Sequence, residues 1–236
     1  MTIADGILYY GNEDFNTIFY LLLNNFIQGS GIEIGAIHHP TIVPDGVTVT
    51  YMDLFNEEEM ESIAVEKSKY GFVHVDIKGN ANIMEGVNDT SQDFLILNNV
   101  FEHLRNPLLF LKNAARVLKK EGILYLVIPD LRYCPGGEKE RPETTFEHLF
   151  EDLEAGLDTN DEPHYRESLI YSGVSEPEKL EDLIERSKKN EIHFHLWTHE
   201  GFIDMITRFK KEIEDSFELV VSANLGAAIV SILKKV

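Results

Sequence analysis

The chain has 236 residues and a formal charge of −20, from 41 acidic against 21 basic residues. That length suits one substantial domain with a buried core, and no Lys/Arg run exceeds two residues, which argues against a nucleic-acid surface and its basic footprint. The acidity serves solubility and disfavours an anionic membrane as partner; no apolar run is long enough to insert in a bilayer, no basic n-region precedes an apolar stretch, and the single cysteine, Cys134, cannot form an internal disulfide, so a reducing, cytoplasmic setting is expected.

In chain order, Phe15, Ile18, Phe19, Leu22, Leu23, Phe26 and Ile27 recur at helical spacing between Asn12, a candidate cap, and Gln28. Gly29 to Gly31 ends that helix, a short apolar strand follows to Gly35, and Val47 to Asp53 is a second strand ending in a carboxylate. Asn56 to Ser68 is a charged, exposed helix, and Phe72 to Ile77 a third strand. Asp93 to Asn98 is the fourth strand, and Leu104, Leu108, Leu111, Ala115 and Leu118 stripe a helix that Lys119 to Gly122 close. Ile123 to Ile128 is apolar throughout, as a central strand covered on both faces must be. Leu131 to Arg141 is a loop beside the sheet edge, Phe146 to Leu157 a helix, Ala155 to Pro163 an acidic linker, and Ser175 to Glu178 a capping box opening a helix through Leu180, Leu183 and Ile184. Ile192, Phe194 and Leu196 alternate with His193, His195 and Trp197, which in an extended segment sends both histidines to one side. Thr198 caps a helix carrying Phe202, Ile203, Ile206 and Phe209, and Phe217 to Ser222 with Ala227 to Leu233 form an antiparallel hairpin. The expectation is an α/β protein: a single domain over 1–236, with a doubly wound, Rossmann-like, mostly parallel sheet, a C-terminal antiparallel hairpin, and a loop and helical insertion at 131–197 forming the substrate side.

The functional signal is concentrated in Gly31-Ile32-Glu33-Ile34-Gly35-Ala36-Ile37 and in Asp53. A bend made of residues with almost no side chain admits a ligand to the backbone. An acid twenty positions after Glu33, at the end of the next strand, is placed to take ribose hydroxyls. Glu33, Gly35, Ala36 and Asp53 thus mark an adenosyl-type site, with Ile37 and Leu54 beside them.

The E-x-G at the first strand, the acid ending the second, Asp93–Asn98 leading into Val100-Phe101-Glu102-His103-Leu104, and Arg116 to Leu124 against the usual RVLKPGG-x-L resemble class I S-adenosylmethionine-dependent methyltransferases. Ile128-Pro129-Asp130, the RP-x-TT-x-EHL run from Arg141 to Leu149, and His193 to Thr198 resemble a bacterial subgroup found among polysaccharide-modifying genes. Two positions depart from the pattern: Ile37 stands where many members have a second glycine, and Lys120-Glu121 replaces Pro-Gly. The resemblance implies S-adenosyl-L-methionine as cofactor, residues around Asp76 and Ile77 near the adenine, and Asn98 and Asn99 where the donor methyl lies.

The implied function is methyl transfer to a hydroxyl of a small molecule or saccharide, which needs alignment, water exclusion and a base. Candidates for that base and its partners are His103, Asp130, Arg132, His148, His193 and His195, with His164 in the insertion. No metal is assigned, although the His193/His195 pair with Asp130 or Glu147 has the composition of a divalent-cation site. Two other readings remain: a non-catalytic methyltransferase-like binding protein, and a metal-dependent enzyme using that histidine pair.

Overall fold

The computed structural model describes residues 2–4, 7–9, 13–63, 71–157, 161–187 and 192–236. In chain order they form β1 (Thr2–Ala4), β2 (Ile7–Tyr9), α1 (Glu13–Phe26), β3 (Ser30–Ile34), β4 (Thr48–Asp53), α2 (Glu57–Ile63), β5 (Ile77–Lys78), β6 (Gln92–Asn98), α3 (Pro107–Val117), β7 (Leu118–Pro129), α4 (Phe146–Ala155), α5 (Glu162–Tyr171), α6 (Pro177–Ser187), α7 (His199–Arg208), β8 (Phe217–Leu225) and β9 (Ala228–Lys235). The predicted cap Asn12 and the end of the predicted helix over 56–68 lie outside the described residues.

Apart from the small β1–β2 hairpin, the strands make one seven-stranded sheet in the order β5-β4-β3-β6-β7-β9-β8. β5 through β7 run parallel, and β9 joins antiparallel to both β7 and β8. The chain leaves β3 toward β4 on one side and later returns to β6 on the other, so a crevice opens between the carboxyl ends of β3 and β6.

Both sheet faces are buried, and strand alternation divides the core between them. In β7, Leu124, Leu126 and Ile128 pack with residues of α3, α4 and α7, while Ile123, Tyr125 and Val127 pack on the opposite side with Leu23 and Ile27 at α1. α3 starts on Asn106, whose side chain accepts from the Leu109 amide, with Pro107 in the first turn where its missing N–H costs nothing. Thr145 caps α4 and Thr198 caps α7, the latter as expected.

Four expectations need correction. The predicted strand over 72–77 shrinks to Ile77–Lys78, because the Asp76 carboxylate accepts the Tyr51 amide at 2.8 Å while the Asp76 amide donates to the Tyr51 carbonyl, so a side chain replaces part of the ladder. Lys119 to Gly122 do not close a helix: β7 already begins at Leu118, opposite Gln92. The acidic stretch after 155 gives way at Glu162 to α5. Residues 192–196 do not alternate as a strand, since the Phe194 and His195 amides both donate to the Glu102 carbonyl.

Candidate functional site

A cleft of about 290 Å³ opens at the carboxyl edge, lined by Gly35 and Ile37 after β3, Asp53 and Leu54 at β4, Gly79 to Asn82 after β5, and Asn99, Val100, His103, Leu104 and Arg105 after β6. Its size is near the lower bound of ordinary small-molecule sites. Of the sequence-predicted residues it brings together Gly35, Ile37, Asp53, Leu54, Asn99 and His103.

The bend is made by backbone conformation. Gly35 has φ +67°, and a Cβ there would stand 2.7 Å from a Val100 methyl, so any side chain would collide with the loop that follows β6. Ile37 also has positive φ, +50°, at the first central position of a tight turn in which the His39 amide donates to the Ala36 carbonyl at 2.8 Å. A β-branched residue is strained there. The Val73 amide, donating to the Ile37 carbonyl at 2.7 Å, holds the turn in place.

Glu33 sits behind the cleft, not in its wall. It is 1% exposed and accepts from the Thr41 amide and, at 2.6 Å, from the Thr41 hydroxyl, which ties the loop after the bend back to β3. Burial raises its pKa to about 7 against the lowering effect of those hydrogen bonds. Asp53 does face the cleft. Its carboxylate accepts from the Phe55 amide at 3.1 Å, and burial pushes its pKa up despite that bond.

Ala36, Asp76, Ile77 and Asn98 stay outside the lining. Asp76 is exposed and engaged with Tyr51, Ile77 packs on the core, and the Asn98 side-chain oxygen accepts from Asn99. On that side the cleft is lined instead by Gly79–Asn82, a few residues later, because β5 ends at Lys78 and not at Asp76. The signal missed there was Gly79-Asn80-Ala81-Asn82: Asn80 caps a short 3-10 turn by accepting the Asn82 amide. Arg105 was also missed, and it is held by Asp161 at 3.0 Å.

The acid-base candidates separate into three places. His103 is in the cleft wall, with Nδ1 2.9 Å from the Ile192 carbonyl and its ring 4.9 Å from that of His193. Burial and the neighbouring His193 bring the His103 pKa down to about 4. On His193 burial works downward too, but hydrogen bonding to Glu138 and the charges of Glu102 and Glu138 outweigh it and raise its pKa. Asp130 is buried at the β7–β9 end, where it accepts from Arg132 through both oxygens and from Asn224. Burial opposes ionisation there, yet Arg132 holds the carboxyl below its usual value, so Asp130 and Arg132 form an ion-paired anchor. His148 and His195 lie in a third place, with Asp152 and His164. His193 and His195 therefore do not share a site, which removes the basis for a metal-dependent enzyme built on that pair.

A doubly wound sheet with a side-chain-free bend after its first core strand, a carboxylate ending the second, and a cleft at the switch point is the arrangement of class I S-adenosylmethionine-dependent methyltransferases. Residues 29–126 match the family model described as a methyltransferase domain, a stretch that runs from the bend through Asp53 and β6 into β7. No curated protein matches the sequence. Among solved structures, a SAM-dependent methyltransferase from Methanosarcina mazei is 17% identical with a TM-score of 0.50, covering 92% of this chain and 98% of its own. A protein from Rhodobacter sphaeroides, named as a zinc-dependent alcohol dehydrogenase, is 12% identical with a TM-score of 0.55, covering 95% and 90%. At these identities the structural likenesses establish the fold. The family match over 29–126 together with this fold supports an S-adenosylmethionine-dependent methyltransferase, an enzyme with S-adenosylmethionine as its cofactor. The site suits that group: the Gly35–Ile37 bend and the half-buried Asp53 carboxylate, one strand away, line the same cleft.

Proposed function

We propose that the enzyme methylates a hydroxyl of a small molecule or saccharide precursor, with His103 taking the hydroxyl proton. The observation that carries this reading is that the His103 imidazole stands in the wall of the same cleft as Gly35, Asp53 and Asn99. Asp53 would hold the ribose hydroxyls, and the Gly35–Ile37 bend with Gly79 to Asn82 would seat the nucleoside. S-adenosylmethionine, when bound, supplies a methyl group already activated by its sulfonium. The chain's own residues must then align the acceptor, exclude water and remove a proton.

His103 is placed for the last task, as a weaker base than an ordinary histidine because burial disfavours its charged form. Nδ1–H donating to the Ile192 carbonyl leaves Nε2 as the basic nitrogen, and a pKa near 4 keeps the ring neutral at physiological pH. Glu102 Oε1, 4.0 Å from Nε2, would stabilise the imidazolium as it forms. The saccharide class is supported by the resemblance of the 141–149 and 193–198 segments to the polysaccharide-associated subgroup.

The test is labelled-methyl incorporation into a panel of sugar nucleotides and oligosaccharides by wild type and His103→Gln. His103→Gln is expected to lower kcat by about 10²–10⁴ with a much smaller change in S-adenosylhomocysteine affinity. Unchanged turnover in the variant would remove His103 as base. Transfer to amine or carbon acceptors and to no hydroxyl would overturn the proposal.

A further inference from the structure

Away from the cofactor cleft, the inserted segment gathers a second constellation. Among the described residues, His148 and Asp152 of α4, His164 of α5 and His195 place one ligand atom each within 4.8 Å of one another. We propose that these four side chains bind a divalent transition-metal ion, Zn²⁺, as a closed structural site that pins α4, α5 and the 192–198 segment to the methyltransferase core.

The positions follow from the fold. His148 and Asp152 are four residues apart on one helix, so they share a face. His164 enters from α5 and His195 from the irregular segment whose amides bond to Glu102. His195 is fully buried, and His164 and Asp152 nearly so.

The spacing is that of a tetrahedral centre. Metal–nitrogen bonds of about 2.1 Å put neighbouring ligand atoms about 3.4 Å apart and imidazole centroids about 5.2 Å apart. Here Asp152 Oδ2 lies 3.2 Å from His195 Nε2 and 3.5 Å from His148 Nε2. The three ring centroids are 4.9, 5.0 and 5.5 Å apart.

The outer contacts point the same way. His164 Nδ1 is 3.2 Å from the Phe194 carbonyl and His195 Nδ1 is 3.1 Å from the Leu104 carbonyl, the backbone contacts that fix a metal-binding imidazole with Nε2 toward the ion. His195 then has an acceptor at each nitrogen, the Leu104 carbonyl and the Asp152 carboxylate. A neutral imidazole has one N–H, so one contact is a hydrogen bond and a cation between Nε2 and the carboxylate satisfies the other. Three imidazoles and one carboxylate, with no position reserved for water, are a zinc-type ligand set. Because Leu104 also lines the cofactor cleft, the ion would steady the wall against which the acceptor docks.

The test is elemental analysis of protein purified without an affinity tag, together with Zn²⁺ and chelator titrations followed by thermal unfolding. About one zinc per chain is expected, with a lowered Tm on chelation that added Zn²⁺ restores. His148→Gln and His164→Gln are expected to lose most of the metal. Should those variants not fold, Co²⁺ loaded into the wild type is expected to show the visible bands of tetrahedral nitrogen and oxygen ligation. Folded wild type with negligible metal and a Tm indifferent to Zn²⁺ and chelator would overturn the proposal, as would folded variants that retain a full equivalent. Metal content is read independently of S-adenosylhomocysteine binding and of methyl transfer, so failure here is separable from failure of the proposed activity.

Discussion

Gly35→Ala is the substitution whose cost the structure sets most directly. At φ +67° an L-residue loses about 1–2 kcal/mol to its own backbone. The new Cβ, 2.7 Å from a Val100 methyl, adds an overpacking cost of about 1–3 kcal/mol. Together these give a destabilisation of about 2–5 kcal/mol, and at about 2–4 °C per kcal/mol for a chain of this size the Tm falls by about 4–20 °C. Thermal unfolding of Gly35→Ala, Val100→Ala and the double variant separates the two costs, because truncating Val100 relieves the collision and leaves the backbone strain. The double variant is expected to recover about 1–3 kcal/mol relative to additivity and to remain less stable than Val100→Ala. A Gly35→Ala cost below about 0.5 kcal/mol would refute the reasoning, since surface changes away from any special feature fall in that range. So would a double variant as stable as Val100→Ala, which would mean that the backbone at 35 carries no strain.

Ile37→Gly and Glu121→Gly work in the opposite direction, since both residues hold positive φ, +50° and +65°. Each is expected to be neutral or stabilising by up to about 1 kcal/mol in denaturant unfolding, the relief of strain outweighing glycine's entropy cost, and the Glu121 ion pair with Lys234 is too exposed to alter that sign. Glu33 gives a pH dependence. Its folded pKa of about 7 lies above the ordinary value of 4.5, so the folded state binds the extra proton, and this contribution is full below pH 4.5 and lost as pH rises through 7. Its ceiling is about 3 kcal/mol, and Glu33→Gln, which keeps an acceptor for Thr41, is expected to flatten stability between pH 5 and 8, whereas an unchanged slope would assign the effect elsewhere. With His103 near 4, the activity profile is expected to show no limb at the ordinary histidine value; a limb there, abolished in His103→Gln, would contradict that environment.

Much of the architecture was legible in the chain itself. Strands that must be buried on both faces read as unbroken apolar runs, as at Ile123 to Ile128, and the alternation of strands with striped helices implies the parallel order. The hidden parts have local causes. At 72–77 the pattern was strand-like, but Asp76 competes for the Tyr51 amide. α5 has only His164 and Tyr165 buried, so it lacks the stripe that reveals a helix. Both departures from the family pattern, at Ile37 and in Lys120-Glu121, include a residue at positive φ, so the positions keep a glycine conformation without the glycine. In the site, the bend and Asp53 were readable because spacing along consecutive strands survives folding. The histidines were not: His193 and His195 are two residues apart yet join different clusters, and His195 meets His148 and His164 only through the packing of α4 and α5.

The most direct measurement is isothermal titration of S-adenosylhomocysteine into wild type and Asp53→Ala. Saturable binding by the wild type is expected, weakened about 10- to 150-fold in Asp53→Ala, as loss of hydrogen bonds to a charged group worth about 1.5–3 kcal/mol requires. A folded wild type that binds none, or an Asp53→Ala variant that binds as tightly, would contradict the assignment of this cleft to the cofactor.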